Sequence, residues 1–108
     1  MERRARWPND GEIDLIEGLH GRGMWHVHST SSSAPGGGNL TAGCHRIKYV
    51  RTASTVTFFY DGVNQGSAST SNFASSPEYL VVNLAVSSSI SPPEVPAQLH
   101  VDWIEVLA

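Results

Sequence analysis

GEIDLIEG, residues 11 to 18, sets Glu12, Asp14 and Glu17 among large apolar residues between two glycines. Read as a strand, the stretch puts Glu12 and Asp14 on one face, with Ile13 and Leu15 on the other, because alternate side chains share a side of the pleat. Glu17 breaks this parity. A single β-bulge at Leu15-Ile16 adds one residue and returns all three carboxylates to one side. A helix does no better, since positions 12 and 14 diverge on it and the segment between the glycines is too short to nucleate one. Two arrangements stay open: a bulged strand with a triple-acid face, or an edge strand whose Glu17 points to solvent.

Working outward, strand signals recur along the chain. MWHVHS, HRIKYVRT, STVTFFY, EYLVVNLAV and QLHVDWIEVL are short, rich in β-branched or aromatic residues, and bounded by Gly, Ser, Asn or Pro. No window sustains an apolar i, i+3, i+4, i+7 stripe over three turns. Asp61-Gly62, after TFFY, is a hairpin turn signal. Residues 29 to 43, STSSSAPGGGNLTAG, read as one long flexible connection. The expected class is all-β, an antiparallel β-sandwich, and 108 residues predict one domain. Cys44 is the single cysteine, so no disulfide forms within the chain, and its expected role is that of a small buried apolar residue.

Charge narrows the function. With 16% charged residues and a net charge of −3, the chain lacks the clustered Lys and Arg that phosphate binding needs, so nucleic acid is not an expected partner. Arg3, Arg4 and Arg6 read as a solvated terminus. No apolar run approaches the ~20 residues that span a bilayer, so no membrane partner is expected. Met1 is followed by charges rather than an apolar run, so no signal peptide is read.

With the bulge absorbed, Glu12 and Glu17 stand as i and i+4, roughly 13 Å apart at Cα. Leaning together, their carboxyls come to roughly 5 Å, near the separation retaining glycosidases use for a nucleophile and a proton donor. Asp14 falls between them, and three acids this close cannot all ionise freely. The plain alternative is a solvated acidic strand face. On MWHVHS, Trp25 and Val27 share one side and His26 and His28 the other, so an inward apolar pair sends both histidines outward with the acids. A metal reading of the two histidines is the weaker one, because no third ligand has a suitable sequence spacing. Trp7 could stack on a pyranose ring or pack in the core.

WPNDGEIDLIEG, residues 7 to 18, resembles the catalytic motif of glycoside hydrolase family 16, the laminarinase-like β-glucanases, whose pattern is E-x-D-x-x-E on a bulged strand after a Trp-Pro and a Gly. Residues 44 to 62, CHRIKYVRTASTVTFFYDG, are similar to a family stretch that reads like FHxYxxxWxPxxIxFYVDG. EYLVVNLAV resembles YLxLNLAVG, and HVDWIEVLA resembles a closing VDYVRVY. Arg51 stands where the family commonly has Trp.

The resemblance implies a concanavalin A-like jelly roll of which the chain, 1–108, is a single partial domain truncated at its N-terminus. It implies a retaining endo-glycosidase acting on β-linked polysaccharide, with Glu12 as nucleophile, Glu17 as acid and then base, and Asp14 holding the proton balance between them. His28, with His26 beside it, and Trp7 are the substrate-binding residues it implies. No cofactor is required for that chemistry; a structural calcium ion at Asp102 is the one bound ion implied, against a plain surface aspartate. The implied partner is a polysaccharide or oligosaccharide, the implied location extracellular, and open sheet edges would favour self-association. The alternatives are a carbohydrate-binding module impaired in catalysis and a non-functional fragment of such an enzyme.

Overall fold

The computed structural model describes residues 6–19, 22–29, 37–39, 43–85 and 97–107. The chain divides into two compact units, Met1–Glu78 and Tyr79–Ala108. The first is all-β, with two antiparallel sheets. One holds β1 (Glu12–Leu19), β2 (Arg22–His28) and β3 (Gly37–Asn39); the other holds β4 (Ile47–Arg51), β5 (Thr55–Tyr60) and β6 (Val63–Ser69). Strand order follows chain order in both. No α-helix occurs among the described residues; Ser71–Phe73 forms one 3-10 turn. Among the described residues no helix is long and apolar enough to cross a membrane.

The parity expected of β2 holds. Trp25 and Val27 are buried, while His26 and His28 on the alternate side are only partly covered. Trp25 stacks on Phe58 of β5, with ring centroids 4.2 Å apart and planes at 12°. Among the described residues these two, with Val27, Val56 and Phe73, are the buried apolar side chains, and Ile13, Tyr49 and Ala68 pack against them. Burial of each such large apolar side chain contributes about 1.5–3 kcal/mol.

The Trp25 indole also needs a hydrogen-bond acceptor. Phe58 pairs with Gly66 and Phe59 with Asn64, which leaves Gln65 as an extra residue outside the ladder. Its carbonyl accepts the Trp25 Nε1–H at 3.3 Å. Gly66 follows at φ 124°, and a Cβ there would sit 3.0 Å from Trp25 Cζ2, so the glycine lets the ring lie against the β6 backbone.

The β5–β6 hairpin turns at Asp61-Gly62 as expected, with φ of 48° and 82°. Asp61 ties the entry to β4 as well: its Oδ1 accepts the Arg46 N–H at 2.8 Å, and its Oδ2 lies 2.7 Å from His45 Nδ1. The His45 contact, then the Arg46 N–H, hold the Asp61 carboxyl below the usual range.

Several expectations change. β6, VNQGSAS, escapes the alternation rule because its side chains are small or polar; the hairpin turn was the signal that called for it. β3 falls inside the stretch read as a flexible connection, for Gly-rich backbone can join a ladder without offering a side-chain pattern. Cys44 is exposed rather than buried, in the approach to β4. EYLVVNLAV and QLHVDWIEVL carry no strand at their described residues. Tyr79, Leu80, Val82, Leu84, Leu99, Val101, Trp103 and Ile104 are all exposed there. Apolar alternation specifies a face, whereas a strand exists only through a hydrogen-bonded neighbour.

Arg51 fixes the turn that follows β6. Its Nη2–H donates to the Phe73 carbonyl at 3.0 Å, its Nη1 lies 2.8 Å from Glu78 Oε2, and its guanidinium stands 5.3 Å from the centre of the Phe73 ring. Phe73 in turn covers Gly11, where φ is 85° and an added Cβ would run into the ring. Gly62 has a similar φ of 82° but open space around it. Urea unfolding should therefore separate the two: Gly62→Ala is expected to lose about 1–2 kcal/mol for the left-handed backbone, and Gly11→Ala about 2–5 kcal/mol because overpacking adds to it. Equal losses would show that Phe73 does not press on Gly11.

Candidate functional site

The outer face of β1 and β2 gathers the acids. Glu12 pairs with His28, Asp14 with His26 and Glu17 with Met24, so Leu15 and Ile16 together oppose Trp25. This is a bulge at the position the acid spacing calls for, and it brings Glu17 back to the side of Glu12 and Asp14. Sequence parity left a solvent-directed Glu17 open; its contacts across the ladder select the bulged arrangement.

Each acid meets a ring. Trp7 Nε1–H donates to Glu12 Oε2 at 2.9 Å. His28 Nε2 is hydrogen-bonded to Asp14 Oδ2 at 2.9 Å. His26 Nδ1 lies 3.6 Å from Glu17 Oε2. The two imidazoles stack with centroids 5.7 Å apart, and the Trp7 ring is tilted over His28 at 5.9 Å. Trp7 is 66% exposed, which removes core packing as an account of it and leaves its indole face open to a ligand.

The turn before β1 places that indole. Gly11 N–H donates to the Pro8 carbonyl at 3.0 Å, and Asp10 N–H to the Arg6 carbonyl at 2.9 Å. Asp10 Oδ2 accepts the Arg6 N–H at 2.8 Å. The tight turn folds residues 7–10 back beside the start of β1, and Phe73 beneath Gly11 braces it.

Asp14 is the most enclosed of the three carboxylates, with its side chain 21% exposed against 64% for Glu17. Burial above all, then the hydrogen bond and the charge of Glu12, push its carboxyl up to about 6, while His28 pulls the other way. One of the crowded acids thus keeps its proton toward neutral pH, and it is the central one.

Asp102, the residue to which the resemblance gives calcium, is exposed in the second unit. Among the described residues it belongs to no group of three ligating His, Cys, Asp or Glu side chains. Calcium wants six or more oxygens. The chain matches no family model, no curated protein and no solved structure.

Sequence reasoning found the acids, both histidines and Trp7, but not which partner each would take. Those pairings depend on the ladder register between β1 and β2, which no sequence spacing displays.

The raised Asp14 value carries a stability signature. A carboxyl whose folded value lies above its unfolded 3.8 binds its proton more tightly when folded. Its contribution is fully present below 3.8 and is lost as pH rises through about 6. A shift of about two units corresponds to up to about 3 kcal/mol. Asp14→Asn should flatten the fall in unfolding free energy between pH 4 and pH 7, by no more than that amount because solvent screens part of the effect. An unchanged slope in urea titrations across this range would show that Asp14 does not carry the proton.

Proposed function

We propose that the chain is a retaining endo-glycosidase acting on β-linked polysaccharide, in a sandwich of the concanavalin A-like jelly-roll kind. What carries the reading is the bulge: one extra residue in β1 sets three carboxylates side by side on an accessible strand face. The laminarinase-like resemblance supports it through the same residues, Trp7, Gly11, Glu12, Asp14 and Glu17.

The steps follow from the roles the two outer acids can take. Glu12 attacks the anomeric carbon while Glu17 gives its proton to the departing glycosidic oxygen, leaving a glycosyl ester on Glu12. Glu17, now ionised, takes a proton from water as the water attacks the same carbon. The ester bond breaks, Glu12 leaves as carboxylate, and two displacements restore the β configuration. Trp7 orients Glu12 through its indole N–H and offers an aromatic surface to a sugar ring. His28 holds Asp14, which lies between the acids and stabilises their alternating charge. Such a substrate places the work of the protein outside the cell.

The test is reducing-sugar release from a panel of β-1,3-glucans, mixed-linkage glucans and galactans, with the anomer of the first product read by NMR. Wild type is expected to release sugar with the β configuration kept. Glu12→Gln should abolish release, and Glu17→Gln should slow it by about 10²–10⁴-fold, the usual contribution of general acid–base catalysis. Both substitutions lie on the outer face, so both variants should unfold as cooperatively as wild type. Release by Glu12→Gln at the wild-type rate would overturn the assignment, and saturable binding without any release would leave a carbohydrate-binding module in its place.

A further inference from the structure

We propose that Asp14, Glu17 and His26 form a binding site for a divalent transition-metal ion of the zinc class. One ligand atom from each lies within 4.8 Å of the other two. The third ligand that sequence spacing could not supply comes from across the ladder: β1 brings two carboxylates through its bulge, and β2 brings the imidazole.

His26 points to an ion rather than to a plain ion pair. Its Nδ1 is shielded from solvent and has no hydrogen-bond partner. The 3.6 Å to Glu17 Oε2 is too long for a hydrogen bond. It is close to the edge of about 3.3 Å that a tetrahedron with ligands at ~2.0–2.1 Å requires. A side-chain adjustment of a few tenths of an ångström, easy for an exposed Glu17, would bring both atoms onto one ion.

A second group, Glu12, Asp14 and His28, has the same spread. It is the poorer site, because His28 Nε2 is already engaged with Asp14 Oδ2 at 2.9 Å. His28 serves better as the outer partner that orients Asp14, the role a hydrogen-bonded neighbour plays for a ligating group. One imidazole and two carboxylates suit zinc and its neighbours, not calcium, which takes six or more oxygens. Three protein ligands leave the fourth position to water. An ion held there engages Asp14 and Glu17 together, so metal and glycoside would exclude each other. The site rests on the geometry of the cluster and stands apart from the glycosidase reading.

Calorimetric titration with zinc chloride alone tests it, on wild type, Glu17→Gln, His26→Gln and, as a control at a distant histidine, His45→Gln. One ion per chain is expected, with affinity lowered about tenfold or more in Glu17→Gln and in His26→Gln and unchanged in His45→Gln. Glu17 is mostly exposed, so its variant tests the site without threatening the fold, which cooperative unfolding confirms. Absence of saturable zinc uptake, undiminished affinity in Glu17→Gln and His26→Gln, or displacement by an equal concentration of calcium would each overturn the proposal. Zinc binding in a chain that releases no sugar would uphold it and remove only the glycosidase reading.

Discussion

The burial of Trp25 is the constraint from which the first unit follows. Its ring lies flat on Phe58, and its N–H is satisfied by the carbonyl of Gln65. Two irregular strands converge on this one side chain. On β6, the extra residue Gln65 frees a carbonyl from the ladder for the indole; on β1, Leu15 and Ile16 share the space opposite Trp25. A buried indole left without an acceptor would carry the full desolvation penalty of its N–H. With Trp25 fixed inward, the pleat leaves His26 and His28 no choice but to face outward, and the bulge aligns the acids with them.

The same argument explains how the site tolerates its own repulsion. The crowding of carboxylates on one strand face is met by the raised pKa of Asp14 and by hydrogen bonds with Trp7 and His28. Arg51 extends the brace to the opposite end. It grips the Phe73 carbonyl and ring, and so holds the floor beneath the turn that presents Trp7.

Much of this was legible in the sequence, for reasons that can be named. Three acids at offsets of two and three residues violate strand parity in a way that one added residue repairs, so the bulge could be located before any ladder was seen. Trp-His-Val-His declares its buried side by composition, and Asp-Gly declares its turn by backbone preference. What stayed hidden had no side-chain pattern to show. β3 is held by backbone pairing, and the Gln65 bulge depends on an indole 40 residues away. The exposure of Cys44 and Trp7 depends on what lies around them in space. The apolar alternation of residues 78–86 and 98–107 described a face in search of a neighbour, and pattern alone does not provide one.

Gly11 changes what the acid motif can be taken to mean. It stands inside the signature, yet its constraint is the Phe73 ring pressing on the backbone from the core side. Under selection for folding alone, Gly11 and Trp25 would persist while Glu12 and Glu17, on the solvent side, drifted freely. Under selection for chemistry, all would persist together. A glycine at this position therefore reports on the fold, and only the acids beside it can report on chemistry.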